Sequence, residues 1–168
     1  IDFVSAVIRE HQSKTDYAIA RDADLYYKHQ NPTIMNFQKF IYNQFGQKVP
    51  DVWSANNKIA SNWYYIFTTQ AVQYLLGNGV SFKNDDTLDK LGKDFEKTIQ
   101  DLATNAKNSG VAFAYWNKDH IELFKYTEFA PIYDEETGQL ASGILFREYE
   151  NELQRIVLYE PDGYTEYI

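Results

Sequence analysis

The apolar residues of this 168-residue chain change their prevailing period at Gly110, and that change constrains the fold more than any single motif. Before it they recur at three- and four-residue intervals, as in helices that bury one face; after it they alternate or form short runs, as in strands. Helices first and antiparallel strands second define an α+β chain.

Ile1 to Gln30 carries Phe3, Val7, Ile8, Tyr17, Ala20, Leu25 and Tyr27 among charges, with neither Gly nor Pro. This predicts one long or two successive helices ending at Asn31-Pro32. Phe37, Phe40, Ile41 and Phe45 suggest a short helix closed by Gly46, with loop on either side because of Pro50 and polar neighbours. A clearer helix runs from Asn57 or Ser61 to Leu76, with Trp63, Ile66, Phe67, Ala71, Tyr74 and Leu75 along one face. Gly77 offers that helix a left-handed stop, Gly79 lets the chain turn again, and Val80 and Phe82 then alternate like a strand. Asp85 or Asp86 can cap a third helix, whose stripe is Leu88, Leu91, Phe95, Ile99, Leu102 and Ala106, ending before Asn108-Ser109-Gly110.

Beyond Gly110, Val111–Trp116 and Ile121–Tyr126 form a hairpin about Asn117-Lys118-Asp119. Phe129–Tyr133 and Leu140–Tyr149 form a second about Asp134–Gly138, where Gly138 suits positive φ. Glu150-Asn151-Glu152 reverses the chain into Leu153–Tyr159, and Pro161-Asp162-Gly163 into Tyr164–Ile168. The last arm stops in mid-strand and leaves an open edge of the kind natural domains avoid, so part of a longer polypeptide is expected. The chain divides into a mainly helical 1–78, a strand plus amphipathic helix over 79–109, and antiparallel β over 110–168.

Motifs for chemistry are missing. With no cysteine, disulfides, thiolate zinc sites, iron–sulfur clusters and thiol nucleophiles are excluded from this sequence. His11, His29 and His120 fall in three different elements and in no metal-binding spacing, so solvated or hydrogen-bonded roles are expected and no metal or cofactor site is assigned. Gly77-Asn78-Gly79 follows a helix and precedes a strand, the reverse of a dinucleotide fingerprint. Asp134-Glu135-Glu136 reads as a solvated turn tip, and Asp85-Asp86 as a helix cap. A hydrolase pairing Asp134 with Glu136 or Glu148 is the lowest-ranked alternative. No catalytic residue is assigned and the chain is not expected to be an enzyme.

A net charge of -8 means that the surface as a whole repels phosphate. Fourteen tyrosines, eleven phenylalanines and three tryptophans suit a core or a protein interface. The longest apolar run, Trp63–Phe67, is far short of a membrane span, and no membrane partner is expected.

Several segments in order carry a resemblance: Tyr26-Tyr27, His29 and Pro32-Thr33-Ile34; Asn56-Asn57-Lys58-Ile59-Ala60-Ser61-Asn62; Tyr74-Leu75-Leu76-Gly77-Asn78-Gly79-Val80-Ser81-Phe82; Gly110–Tyr115; Pro131-Ile132-Tyr133-Asp134; and Ile144-Leu145-Phe146-Arg147. The succession resembles the portal proteins of tailed bacteriophages, of the type carried by siphophages of Gram-positive hosts. The resemblance implies the N-terminal wing of a ring-shaped, usually dodecameric head-to-tail connector at one capsid vertex. It implies as partners copies of itself, capsid, scaffold and terminase proteins, and double-stranded DNA that passes without sequence-specific contact. The location implied is the virion, and the bacterial host cytoplasm during assembly, from a phage or prophage. An aromatic-rich small-ligand or glycan-binding module is the alternative.

Overall fold

The computed structural model describes residues 2–83, 90–92, 94–149 and 152–167. It opens with α1 (Asp2–Ser13) and α2 (Thr15–Tyr27), two successive helices broken at Lys14, whose backbone is extended (φ -70°, ψ 142°). One turn, α3 (Pro32–Met35), starts on Pro32, whose missing N–H costs nothing at a helix start. A hairpin follows, β1 (Phe40–Tyr42) against β2 (Lys48–Pro50), and then α4 (Trp63–Leu76) and α5 (Phe95–Ser109). The rest is antiparallel: the hairpin β3 (Phe113–Trp116) and β4 (Ile121–Phe124), and a meander of β5 (Phe129–Tyr133), β6 (Leu140–Tyr149), β7 (Glu152–Glu160) and β8 (Gly163–Tyr167) in sequential order. The α+β expectation holds.

The meander is covered on both faces because its strands are apolar on both. On one face the register aligns Phe129 with Leu145 and Leu145 with Val157; with Tyr159 they meet Phe113 and Phe124 of the β3–β4 hairpin and Ala20 of α2. On the other, Ala130, Ile144 and Phe146 pack under Val4 and Ile8 of α1. Ile144, Leu145, Phe146 and Val157 are the largest fully buried side chains, each stabilising the fold by about 1.5–3 kcal/mol relative to exposure. Tyr17 packs against both clusters. Gly143 lies beneath the Phe129 ring so closely that a Cβ would fall 2.0 Å from Cζ. The glycine therefore makes room for the aromatic.

Three expectations are corrected. The proposed helix through Phe37, Phe40, Ile41 and Phe45 is the β1–β2 hairpin: Asn43 Oδ1 accepts the N–H groups of Phe45 and Gln47 at 2.9 and 3.0 Å, and Gly46 sits at φ 73°. That side-chain turn reverses the chain where a helix would have continued. At the end of α4 the left-handed residue is Gly79 (φ 74°), whereas Gly77 is right-handed (φ -64°). Gly77 is needed for a different reason: a Cβ there would meet the Gln73 carbonyl oxygen at 2.3 Å. Val80 and Phe82 form no strand; Phe82 instead packs on Phe95 with ring centroids 5.8 Å apart.

The Asp85 or Asp86 cap and Leu88 lie outside the described residues. The helical stripe itself is broken at Gly92, φ 90°, so that the regular helix begins at Phe95. It runs through Asn108 and Ser109, past the expected end, and stops at left-handed Gly110.

Candidate assembly surface

Residues between α2 and α4 form a limb that is closed at its base. Asn31, 3% exposed, donates from Nδ2 to Ser61 Oγ at 3.0 Å and so ties the two ends together. Lys39 donates to the Ala55 carbonyl at 2.6 Å, and Lys58 donates to that of Met35. Asp51 Oδ1 accepts from the N–H groups of Trp53 and Ser54, each at 3.0 Å, and bonds from Ser54 and Trp53 hold its carboxyl below the ordinary range. These polar ties fix the limb's path, while its apolar side chains face outward: Tyr42 is 75%, Phe45 80% and Trp53 88% exposed. Lys48 lies over the Phe40 ring, 4.5 Å from its centroid, a cation–π contact.

A second outward apolar surface lies on α4. The sequence pattern puts Trp63, Phe67, Tyr74 and Leu75 on a packing face, but all four are exposed, Tyr74 at 95%. The residues buried on this helix are Thr68 and Val72. The helix holds to its neighbours through its other side: Tyr27 meets Tyr65 at 5.1 Å, and Thr68 Oγ1 reaches Asn108 Oδ1 of α5 at 3.5 Å. Beside the exposed residues, Leu75, Leu76, Ile99, Leu102 and Ala106 line an apolar groove between α4 and α5. From Ile59 to Phe82 there is no charged residue, a signal legible in the sequence and missed by reading periodicity alone. Exposed apolar surface on this scale marks a surface to be covered.

The groups examined for chemistry are dispersed. His11 is buried at 2% exposure, its Nε2 2.8 Å from the Tyr126 carbonyl and its ring edge-on to Tyr126 and Tyr17. Burial pulls its pKa down; the bond to Tyr126 opposes this and the charge of Lys14 adds to it. His29 adopts φ 62° and rests against Tyr65. His120 is exposed; its bond to Asp119, aided by Glu122, raises its pKa. Glu122 Oε2 also accepts from the Tyr159 hydroxyl at 3.1 Å, where burial first and this carboxylate second push the phenol up to about 12. A phenol held there stays protonated at neutral pH and serves as a tie between β4 and β7.

Asp134, one carboxylate of the hydrolase alternative, accepts from Glu136 N, Thr137 N and Thr137 Oγ1 at 3.1, 2.7 and 2.8 Å. Bonds from Thr137 lower its pKa, the reverse of what a general acid requires. Glu136 is exposed on the same turn, and the side chain of Glu148 lies outside the described residues. Among the described residues no three His, Asp or Glu side chains gather as metal ligands, and no helix is long and apolar enough to cross a membrane.

The fold thus combines a two-faced core with two apolar surfaces that face outward. The sequence model of the family described as "Phage portal protein, SPP1 Gp6-like" matches residues 8–167. The chain belongs to this phage portal family. It is 28% identical over 98 residues to the portal protein of Bacillus phage SPP1, a match that takes in 55% of this chain. The matched part spans 20% of the length of that relative.

Proposed function

We propose that this chain is the wing portion of a portal ring, a structural and non-enzymatic component of the virion through which DNA is packaged and ejected. The observation that carries this reading is the family match over nearly the whole chain, from residue 8 to 167. Two physical features support it. The outward aromatic side chains of the limb and of α4 suit contacts between subunits and with the shell, where Tyr, Trp and Phe are favoured. The acidic balance of the chain, net -8, disfavours phosphate and lets DNA pass without lodging. Copies of the same chain, capsid and scaffold proteins and the terminase motor are the partners of this reading, and assembly in the host cytoplasm is its setting.

The test is the mass of the full-length protein in solution, by light scattering after size exclusion, with electron microscopy of the same fraction. Closed rings of many copies are expected. A stable monomer would overturn the reading, and a monomer binding a glycan in an aromatic groove would favour the small-ligand alternative.

A further inference from the structure

The charges of this chain are segregated in a way that its net value hides. Residues 29–60, the limb closed by Asn31 and Ser61, contain Lys39, Lys48 and Lys58 against the single carboxylate Asp51, a net of +2. The rest holds 13 of the 16 Lys and Arg and 23 of the 24 acids, a net of -10. Among the described residues, none of the three limb lysines makes an ion pair, whereas Lys14, Lys28, Lys125, Arg21, Arg147 and Arg155 all do.

We propose that the basic limb of one copy lies against the acidic body of the next, its aromatic tip seated on the apolar face shared by α4 and α5, where Lys107 is the charged residue of the lining. The proposal rests on the ring assembly given under Proposed function and names the surfaces that would meet in it. A ring closed by rotation needs two different, complementary patches on each subunit, one for each neighbour. The limb and the α4–α5 face are such a pair. Both are exposed, so neither covers the other within one copy. Tyr42 and Phe45 stand exposed at the tip of a two-stranded hairpin, and the seat is a groove between Leu75 and Leu76 of α4 and Ile99 and Leu102 of α5.

Energetics and charge point the same way. Two strands of three residues each are marginal alone in water and gain stability from a surface to pack on. Bodies with this acidic excess repel, and the places where they can approach are those poorest in acid: the limb, with Asp51 alone, and the stretch from Ile59 to Phe82. At the margin of the seat, exposed Glu96 of α5, beside Gly79 at the end of α4, offers the limb lysines opposite charge. Nucleic acid fits the limb less well, because three lysines can neutralise few phosphates and the rest of the chain carries a net charge of -10.

The experiment uses the full-length protein. Unlabelled and heavy-isotope copies, mixed before assembly, are joined by a zero-length carbodiimide and their peptides analysed by mass spectrometry. Mixed-isotope links from Lys39, Lys48 or Lys58 to Glu96 are expected. Rings whose limb lysines link only within their own copy, or to other segments, would overturn the proposal and leave the ring reading intact; absence of rings would overturn both. Lys48→Glu and Leu75→Glu, each on an outward side chain, should raise the concentration for half-assembly by about tenfold with an unchanged melting temperature. Unchanged assembly in both variants, with Lys48→Glu instead weakening capture of a short DNA duplex, would also overturn it.

Discussion

Gly143 shows how one residue without a side chain can organise a core. A strand interior ordinarily disfavours glycine, yet here the Phe129 ring occupies the space above it, with Cζ 2.0 Å from where a Cβ would stand. Gly143→Ala should therefore lower stability by about 1–3 kcal/mol through displacement of that ring, read as a fall in the denaturation midpoint. A variant as stable as the parent would show that the ring has another place to go. His11 makes a second prediction of a different kind. Its ordinary pKa is 6.5 and burial in the fold lowers it, so the unfolded chain takes up the proton first as pH falls. The stability that neutral His11 contributes is complete above that value and erodes below it, toward the lowered pKa of the folded state. In His11→Gln the residue no longer titrates while an N–H can still reach the Tyr126 carbonyl. The gap in melting temperature between parent and variant should then narrow as pH falls from about 7.5 to about 5.5. Exposed His120, whose raised pKa acts in the opposite direction, is common to both proteins and cancels. A gap that stays constant over this range would refute the assignment.

At the scale of elements, the β half was legible because its turns carry their own chemistry. Lys118 takes φ 62° and Gly138 φ 66° inside turns that the sequence marks with Asn, Asp and Gly, and strands of alternating type fill the intervals. The 36–52 segment misled because Phe37, Phe40, Ile41 and Phe45 happen to stand at helical spacing; the polar Asn43, not the aromatics, decides its geometry. Helix α4 was placed correctly and its packing side was not. A helix apolar on most of its circumference gives periodicity no contrast, and small Thr68 and Val72 fit against α5 where the rings do not. The candidate assembly surface was illegible for the same reason, since spacing cannot distinguish a stripe that meets its own core from one that stays exposed. The distinction is measurable. Phe67→Ser on the exposed side should change stability by no more than about 0.5 kcal/mol, whereas Phe146→Ala, at 2% exposure, should cost about 3–5 kcal/mol. Chemical denaturation of the 168-residue chain ranks the two, and equal losses would place α4 in the core after all.

For the whole molecule, the segregation of charge matters more than its sum. The body, net -10, presents a DNA duplex with like charge, and the one region of opposite sign carries three lysines, of which Lys39 and Lys58 are held by carbonyls and Lys48 by an aromatic ring. Counterion release, the term that drives sequence-independent DNA binding, grows with the number of phosphates neutralised, and three partly engaged lysines can neutralise few. The 168-residue chain should consequently bind a fluorescent duplex no more tightly than about 0.1 mM at physiological salt, and what binding there is should show a salt slope of small magnitude, at most about 3. Fluorescence anisotropy across a salt titration measures both quantities. A micromolar affinity with a steep slope would mean that acids and lysines are arranged to grip DNA, and would count against the proposed passage of DNA without lodging.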